Sequence, residues 1–210
     1  MGLAMTHTAP KRAQDIRFGA IDPDLFLSLV AEHGSTTAAG GQIKSQYADQ
    51  LRAKDRKVGI HALYACDQLV GALSYGVVSL PRISGTVSGR IDVVLTLPQH
   101  RGRGIASLLM AHYIIDACET HGPSLRHLSV IAQHPAIAEI ARGLGYHRAG
   151  SDNPPVHIQD VELSQRDALH TQASRVFTER MGRLRRECIN CVRIRLLKPW
   201  CMGSDKVETT

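Results

Sequence analysis

The chain has 210 residues, of which 43% are hydrophobic, 21% charged and only 4% aromatic, proportions typical of a globular domain with a mainly aliphatic core. No apolar run approaches the roughly 18 residues of a membrane helix, and residues 1–11 lack the apolar segment of a secretion signal. The five cysteines are an odd number without framework spacing, which favours reduced thiols. We therefore expect a cytoplasmic protein that does not insert into membranes.

The net charge of +6 is unevenly distributed along the chain. Between Ser164 and Trp200, eight Arg and one Lys stand against three acids, so this segment alone carries +6. Positive charge favours anionic partners such as phosphorylated cofactors and nucleic acid. We divide the chain into a domain over residues 1–163 and a basic helix-strand extension over residues 164–210.

Hydrophobic periodicity predicts a strand, two helices and two strands in the first part of the chain. In chain order these elements cover residues 15–21, 22–34, 42–54, 58–65 and 68–78. Asp22 has the side chain of an N-cap, and Pro23 suits the first position of the helix that follows. Cys66 and Asp67 are predicted to form the tight turn of a hairpin between the last two strands.

The second part of the chain alternates strands and helices. In chain order we predict a strand over 90–97, a helix that begins at Ile105 and ends before Gly122, a strand over 125–132, a helix over 135–144, and a hairpin of 146–148 with 156–163. The domain should therefore combine one sheet with several helices.

A glycine-rich turn joins the strand over 90–97 to the following helix. Gly102 and Gly104 let the backbone approach a bulky anion because they carry no Cβ. The first amides of a helix have no internal partner, and the helix dipole adds positive charge at the same point. The turn therefore predicts a site for a diphosphate group, with Arg101 and Arg103 either adding charge or staying solvated.

Two other phosphate-binding motifs do not fit this turn. A P-loop requires a Gly-Lys pair followed by Ser or Thr, which the sequence lacks. A dinucleotide-binding turn requires a third glycine where Ser107 stands.

The spacing Gln99-x-x-Gly102-x-Gly104 resembles the signature of the GCN5-related N-acetyltransferase (GNAT) family, which reads Q/R-x-x-G-x-G/A. Leu144–Tyr146 is similar to the Leu-Gly-Phe ending found in that family. The resemblance covers roughly residues 15–163, including the order of the predicted elements.

The resemblance implies an α+β fold: a mixed, mainly antiparallel twisted sheet with helices on both faces and its fourth and fifth strands splayed apart. Acetyl-CoA would lie in that opening, with pantetheine along residues 94–97 and the pyrophosphate on the amides of residues 101–106. His134 takes the place of a family Asn and is equally well interpreted as a helix-start residue. The implied cofactor-binding residues are Val94, Leu95, Thr96, Leu97, Gln99, Arg101, Gly102, Arg103, Gly104, Ile105, Ala106 and His134. No metal is implied.

In this family acetyl passes directly to an acceptor amine, which has to lose a proton. A lysine-like amine has a pKa of about 10, so its neutral form is disfavoured by about 4 kcal/mol at pH 7. A carboxylate, or a water that it orders, can accept the proton. Asp92 lies on the strand before the turn, where the family often places an acid; it is interpreted either as this base or as a structural strand carboxylate.

The departing thiolate of coenzyme A needs a proton donor. The family commonly uses a Tyr four residues before the Gly of the Leu-Gly-Phe ending, and this chain has Ala141 there. Tyr113 and His147 are the candidate substitutes, although Tyr113 also fits a core position. This departure keeps a second interpretation open, a catalytically silent acyl-CoA-binding sensor or scaffold.

The basic extension predicts a helix over residues 165–186 and a strand over residues 191–197, in which Val, Ile and Leu alternate with Arg. An apolar stripe of the helix should pack on the domain or on a second subunit; it contains Leu169, Ala173, Val176, Phe177 and Leu184. The arginines suggest a third interpretation, an acetyltransferase directed to RNA or tRNA, whereas a solvated basic face explains them equally. The acceptor pocket is expected at residues 34–41 and 81–89, and the acceptor itself is not specified by the sequence.

Overall fold

The computed structural model describes residues 16–33, 49, 51–52, 58–80, 85–132, 134–149, 156–160 and 163–197, with the side chains of 156–164 and 188–197 left out of the description. The predicted acceptor segment 34–41, residues 81–84 and most of the predicted second helix lie outside these ranges. Residues 49, 51 and 52 of that helix are helical.

The described strands form one sheet in the order β1-β2-β3-β4-β5-β7-β6. Their bounds are Ile16–Gly19, Val58–Ala65, Gln68–Ser79, Val87–Thr96, Leu125–Ile131, His147–Ala149 and Val156–Asp160 for β1 to β7. Neighbouring strands are antiparallel except β4 and β5, which are parallel. The predicted hairpins are confirmed, and the turn at Cys66-Asp67 has the two positive φ angles of a two-residue hairpin.

Helices cover both faces of the sheet, as the resemblance implies. Their bounds are Pro23–His33, Ile105–His121, Pro135–Gly143 and Leu163–Leu197 for α1 to α4. The predicted N-cap is confirmed at α1, where Asp22 Oδ1 accepts hydrogen bonds from the backbone N–H groups of Asp24 and Leu25 at 3.0 and 3.1 Å. α1 packs in a core on one face, while α2, α3 and α4 share the larger core on the other. No helix within the described residues is long and apolar enough to cross a membrane.

The fourth and fifth strands separate partway along their length, as the resemblance implies. Their paired residues run from Val87 and Leu125 to Ile91 and Val130, whereas β4 continues to Thr96. Asp92 is the extra residue of a β-bulge, because Tyr75 of β3 pairs with Ile91 and the preceding β3 residue, Ser74, pairs with Val93. The bulge marks the point where β4 leaves β5, so a stretch of β4 backbone faces an opening instead of a strand.

The predicted C-terminal strand over residues 191–197 is wrong. The helix predicted over 165–186 runs without a break from Leu163 to Leu197 as α4. Neither Gly nor Pro occurs between Gly182 and Pro199, so nothing in the sequence ends the helix earlier. A strand requires a partner for its backbone groups, whereas extending an existing helix by one residue closes a hydrogen bond locally. The RNA-binding strand edge suggested by the sequence therefore does not exist.

α4 packs on α2 through the predicted apolar stripe. Leu169, Ala173 and Leu184 are buried, and Val176 and Phe177 pack against the same core. His170 lies 3.4 Å from Glu119 near the end of α2, while Phe177 lies against His112, about two turns of α2 earlier, so the two helices are antiparallel. Full burial of one leucine contributes about 1.5–3 kcal/mol, so the buried Leu169 and Leu184 both stabilise the packing of α4 on the domain.

A cluster of aromatic and histidine rings fills the interface between the sheet, α2 and α4. His112 stacks on Phe18 with ring centroids 3.7 Å apart, and its Nδ1 lies 3.0 Å from Nδ1 of His61. One of these nitrogens donates and the other accepts, which requires the accepting ring to be neutral and forbids protonation of both rings. Burial lowers the pKa of His61, and burial together with neighbouring His61 lowers the pKa of His112 to about 4.

This histidine pair predicts that the protein loses stability in mild acid. Both folded-state pKa values lie below the unfolded value of about 6.5, so between that pH and about pH 4 the unfolded chain binds more protons. The stabilisation is complete above pH 6.5 and is lost as the pH falls. Urea unfolding from pH 7.5 to 4.5 should show this loss, and His112→Gln should flatten the dependence, whereas His147→Gln on the exposed β6 should leave it intact. An unchanged dependence in His112→Gln would contradict the assignment.

Candidate functional site

A cleft of about 500 Å³ opens where β4 leaves β5. It is bounded by the end of β4, the turn before α2, the first turns of α2 and α3, the end of α1, and one residue of α4. Its lining residues are His33, Val94, Leu95, Thr96, Arg101, Gly102, Gly104, Ile105, Ala106, Ser107, His134, Ala136, Ile137, Ile140 and Arg180. Among these residues are two arginines and no acid, so the cleft is suited to an anionic ligand.

The turn into α2 presents free backbone amides to this cleft. After a short 3₁₀ turn over Pro98–His100, Gly102 and Gly104 adopt φ angles of +75° and +76°, which side chains rarely tolerate. Gly104 is the N-cap and supplies no side-chain oxygen. The first amide bonded within the helix is that of Leu108, which donates to Gly104 O at 3.0 Å. The amides of Ile105, Ala106 and Ser107 therefore have no partner inside the helix.

Most of the cofactor-binding residues implied by the sequence line this cleft. They are Val94, Leu95, Thr96, Arg101, Gly102, Gly104, Ile105, Ala106 and His134. Leu97, Gln99 and Arg103 do not line it, and the amide of Leu97 donates to Val70 O at 3.1 Å. The amide of Arg101 is also engaged, with Pro98 O at 3.3 Å, so the amides that can meet a ligand begin after it.

His134 is the N-cap of α3, so the helix-start interpretation is confirmed, and the residue also lines the cleft. Its Nδ1 accepts a hydrogen bond from the backbone N–H of Ala136 at 3.1 Å. With Nδ1 as the acceptor, the proton of the neutral ring lies on Nε2. The ring can therefore donate a hydrogen bond to a carbonyl group at the edge of the cleft.

Six lining residues were missed by the sequence interpretation. They are His33, Ser107, Ala136, Ile137, Ile140 and Arg180. Ser107 follows from the same rule as its neighbours, since the first three amides of a helix are all free. The α3 residues recur at helical spacing along the side of α3 that lines the cleft. Arg180 has a signal of another kind, a charge within the otherwise apolar stripe of α4.

Asp92 lies at the inner end of the opening. Its side chain is 13% exposed, and the Arg90 guanidinium donates a hydrogen bond to its Oδ1. The β-bulge places it one residue beyond the last pair of β4 and β5. Asp92 does not line the cleft itself. A ligand in the cleft would reach the Asp92 carboxylate through a water molecule, or by extending to the point where β4 and β5 separate.

The candidate proton donors are placed away from the cleft. Tyr113 is 1% exposed and belongs to the core, where burial raises the pKa of its hydroxyl well above the usual value. His147 lies on β6, paired with β7, and does not line the cleft. Ala141 is buried on α3, and Tyr146 is also buried, with its pKa raised by that burial. None of these side chains supplies a hydroxyl to the opening.

Two further ionisable side chains, His100 before the turn and Cys118 near the end of α2, are held in their neutral forms. Burial and the neighbouring Arg103 guanidinium lower the pKa of His100, which keeps its ring neutral at physiological pH. Burial raises the pKa of the Cys118 thiol to about 11, so this cysteine is protonated and unsuited to act as a nucleophile. Within the described residues, no group of three His, Cys, Asp or Glu side chains is placed to hold a metal ion.

The parallel strands β4 and β5 thus separate at a β-bulge, and the helix that begins beside this separation is preceded by two glycines. A family model described as "Acetyltransferase (GNAT) domain" matches residues 31–162. The chain therefore belongs to the GNAT acetyltransferase family. The match ends just before α4, so the family model does not include that helix.

Solved structures of other proteins share this fold. Arabidopsis thaliana NAA60 in complex with acetyl-CoA has a TM-score of 0.54 at 13% identity, covering 70% of this chain and 99% of that chain. Staphylococcus aureus Mu50 N-acetyltransferase gives 0.52 at 16%, covering 70% and 99%. Arabidopsis thaliana Naa50 with the bisubstrate analogue CoA-Ac-MVNAL gives 0.50 at 15%, covering 70% and 98%. No curated protein sequence matches this chain significantly.

The same substitution at two glycines should have opposite effects on stability. Gly102→Ala places a Cβ in open space but forces an L residue to a φ of +75°, which should destabilise the fold by about 1–2 kcal/mol. Gly182→Ala lies inside α4, where the new Cβ meets only Arg186 Nη1 at 3.6 Å, and should stabilise by about 0.5–1 kcal/mol. Urea unfolding measures both changes. A neutral Gly102→Ala would contradict the strained turn.

Proposed function

We propose that this chain is an N-acetyltransferase that transfers the acetyl group of acetyl-CoA directly to a primary amine. The observation that carries the proposal is the cleft of about 500 Å³, which brings together the edge of β4 that β5 leaves open, the free amides of α2 and a lining without acids. Family membership and the fold of the NAA60 complex with acetyl-CoA support the cosubstrate.

The cofactor would be held from both ends of the cleft. Its diphosphate would accept hydrogen bonds from the amides of Ile105–Ser107, where the helix dipole also favours negative charge. Its pantetheine arm would pair with the backbone of residues 94–96 as an added strand, since β5 does not cover that part of β4. Nε2 of His134 would donate to one of the amide carbonyls of that arm.

The acyl transfer itself would occur next to Asp92, where β4 and β5 separate. The amine nitrogen attacks the thioester carbonyl carbon, the carbon–sulfur bond breaks, and coenzyme A leaves as the thiolate. The proton lost by the amine goes to Asp92, directly or through a water, and returns to solvent. Asp92 forms an ion pair with the Arg90 guanidinium, so accepting the proton would weaken that ion pair.

The placement of the acid and base groups favours an acceptor amine that is easily deprotonated. An α-amine with a pKa of about 7.7–8.0 costs about 1 kcal/mol to deprotonate at pH 7, whereas a lysine side chain costs about 4.5 kcal/mol. Naa50, which shares the fold, was solved with an analogue that joins coenzyme A to a peptide. We therefore propose peptide or protein N-terminal α-amines as the acceptor class.

A second candidate function is supported by Ala141. The family hydroxyl is missing there, and the hydroxyls of Tyr113 and Tyr146 are buried in the core. A protein with this arrangement can bind acyl-CoA without turning it over, as a sensor or scaffold. The two functions share the same binding site and differ only in catalysis.

Thiol release from acetyl-CoA tests the proposal directly. One peptide carries a free α-amine and an acetylated lysine, and a matched peptide carries an acetylated α-amine and a free lysine. At pH 7 we expect turnover at least about 100-fold faster with the first peptide, from the difference in deprotonation. Binding of coenzyme A with no thiol release on any amine would support the silent binder, and faster turnover of the lysine peptide would contradict the acceptor class.

The role of Asp92 is tested in the same assay. Asp92→Asn should lower kcat/KM by about 100-fold or more if the carboxylate accepts the proton, with affinity for coenzyme A unchanged. Asp67→Asn, at an 88% exposed hairpin position, is the control and should retain full activity. Full activity of Asp92→Asn would mean that this residue only stabilises the bulge.

A further inference from the structure

Arg180 reaches the glycine turn from the C-terminal helix. The antiparallel packing of α4 on α2 brings it to the beginning of α2, where it lines the cleft. An ideal Cβ added to Gly104 would lie 2.9 Å from Cδ, 3.4 Å from Nε and 3.5 Å from Nη1 of Arg180. The guanidinium group therefore lies directly over the N-cap of α2.

This position is unfavourable for a cation that has no ligand. Nε of Arg180 is buried and has no hydrogen-bond partner among the described residues. The acid paired with it is the exposed Glu179, whose Oε1 is 4.0 Å from Nη1, too far for a hydrogen bond. The N-terminus of α2 carries partial positive charge, and Arg101 lines the same cleft. The helix N-terminus and Arg101 both raise the free energy of the guanidinium, and the distant Glu179 offsets little of this; the Arg180 side chain is 32% exposed.

The sequence of α4 makes the placement more unusual. Arg180 follows Ala173, Val176 and Phe177 at helical spacing, and Leu184 continues the stripe that packs on α2. An apolar residue at this position would extend the packing without placing an unpaired donor next to the helix end. An arginine at such a position indicates that a bound ligand supplies the hydrogen-bond acceptor that the described residues lack.

We propose that Arg180 binds the diphosphate of coenzyme A, together with the free amides of α2; this inference rests on the proposed function. A guanidinium group offers a planar fork of donors that matches phosphate oxygens. The diphosphate is the group concerned because Arg180 lies over Gly104, whereas the acyl end would lie at the opposite end of the open β4 segment. α4, which lies outside the family match, is thereby part of the binding site.

The test compares Arg180→Met with Arg183→Met. Methionine keeps an unbranched apolar stem and removes the charge, and Arg183 is a matched control because it is 48% exposed and pairs with Glu187 on the surface of α4. Calorimetric titration with coenzyme A and with 3′-dephospho-coenzyme A should show about 10- to 100-fold weaker binding of both by Arg180→Met and little change in the control. Arg180→Lys should recover part of the affinity.

Thermal unfolding separates a ligand role from a structural one. Without ligand, Arg180→Met should melt at the same temperature as the wild type or higher, because it removes an unpaired buried donor, and coenzyme A should raise its melting temperature less. Equal affinity of the two Met variants for coenzyme A would overturn the role of Arg180 and leave the proposed function intact. A loss seen with coenzyme A but not with the dephospho form would overturn the diphosphate assignment. Failure of the wild type to bind coenzyme A would overturn the proposed function as well.

Discussion

The first turn of α2 has to find partners outside the helix, and the rest of the site is arranged around that constraint. The amides of Ile105, Ala106 and Ser107 precede the first bond within the helix, and the N-cap has no side chain to satisfy them. The two positive φ angles before them keep the approach free of side chains. A helix start in a cleft without acids is suited to an anion, and membership of the GNAT acetyltransferase family supports our proposal that this anion is acetyl-CoA.

The β-bulge at Asp92 extends this site along β4. By ending the pairing with β5, it leaves backbone groups next to the same cleft and places a carboxylate at its inner end. The described part of the site thus offers more groups that can bind a ligand than groups that can accept or donate a proton. Ala141 offers no proton donor, and proton acceptance by Asp92 would compete with its ion pair to Arg90, so the proposed acceptor is an amine with a low pKa.

Features determined by neighbouring residues were predictable from the sequence, and features that depend on tertiary packing were not. Gly102 and Gly104 between a strand and a helix predicted the turn and its free amides, whereas the lining residues on β4 and His134 were predicted from the resemblance to the GNAT family. The alternation of Arg with aliphatic residues over 191–197 predicted a strand, because a seven-residue pattern does not reveal that the chain is already helical. Arg180 lies 76 positions after Gly104 in the sequence, so only the antiparallel packing of α4 on α2 could reveal their contact.

The central claim is that the amides at the start of α2 bind the diphosphate, and NMR of the ¹⁵N-labelled protein tests it most directly. On addition of coenzyme A, the account predicts that the amide signals of Gly104 and of Ile105–Ser107 shift the most, downfield as charge-assisted hydrogen bonds form. Inorganic diphosphate at higher concentration should shift the same signals. Saturable binding of coenzyme A that leaves these amides unchanged would contradict the account.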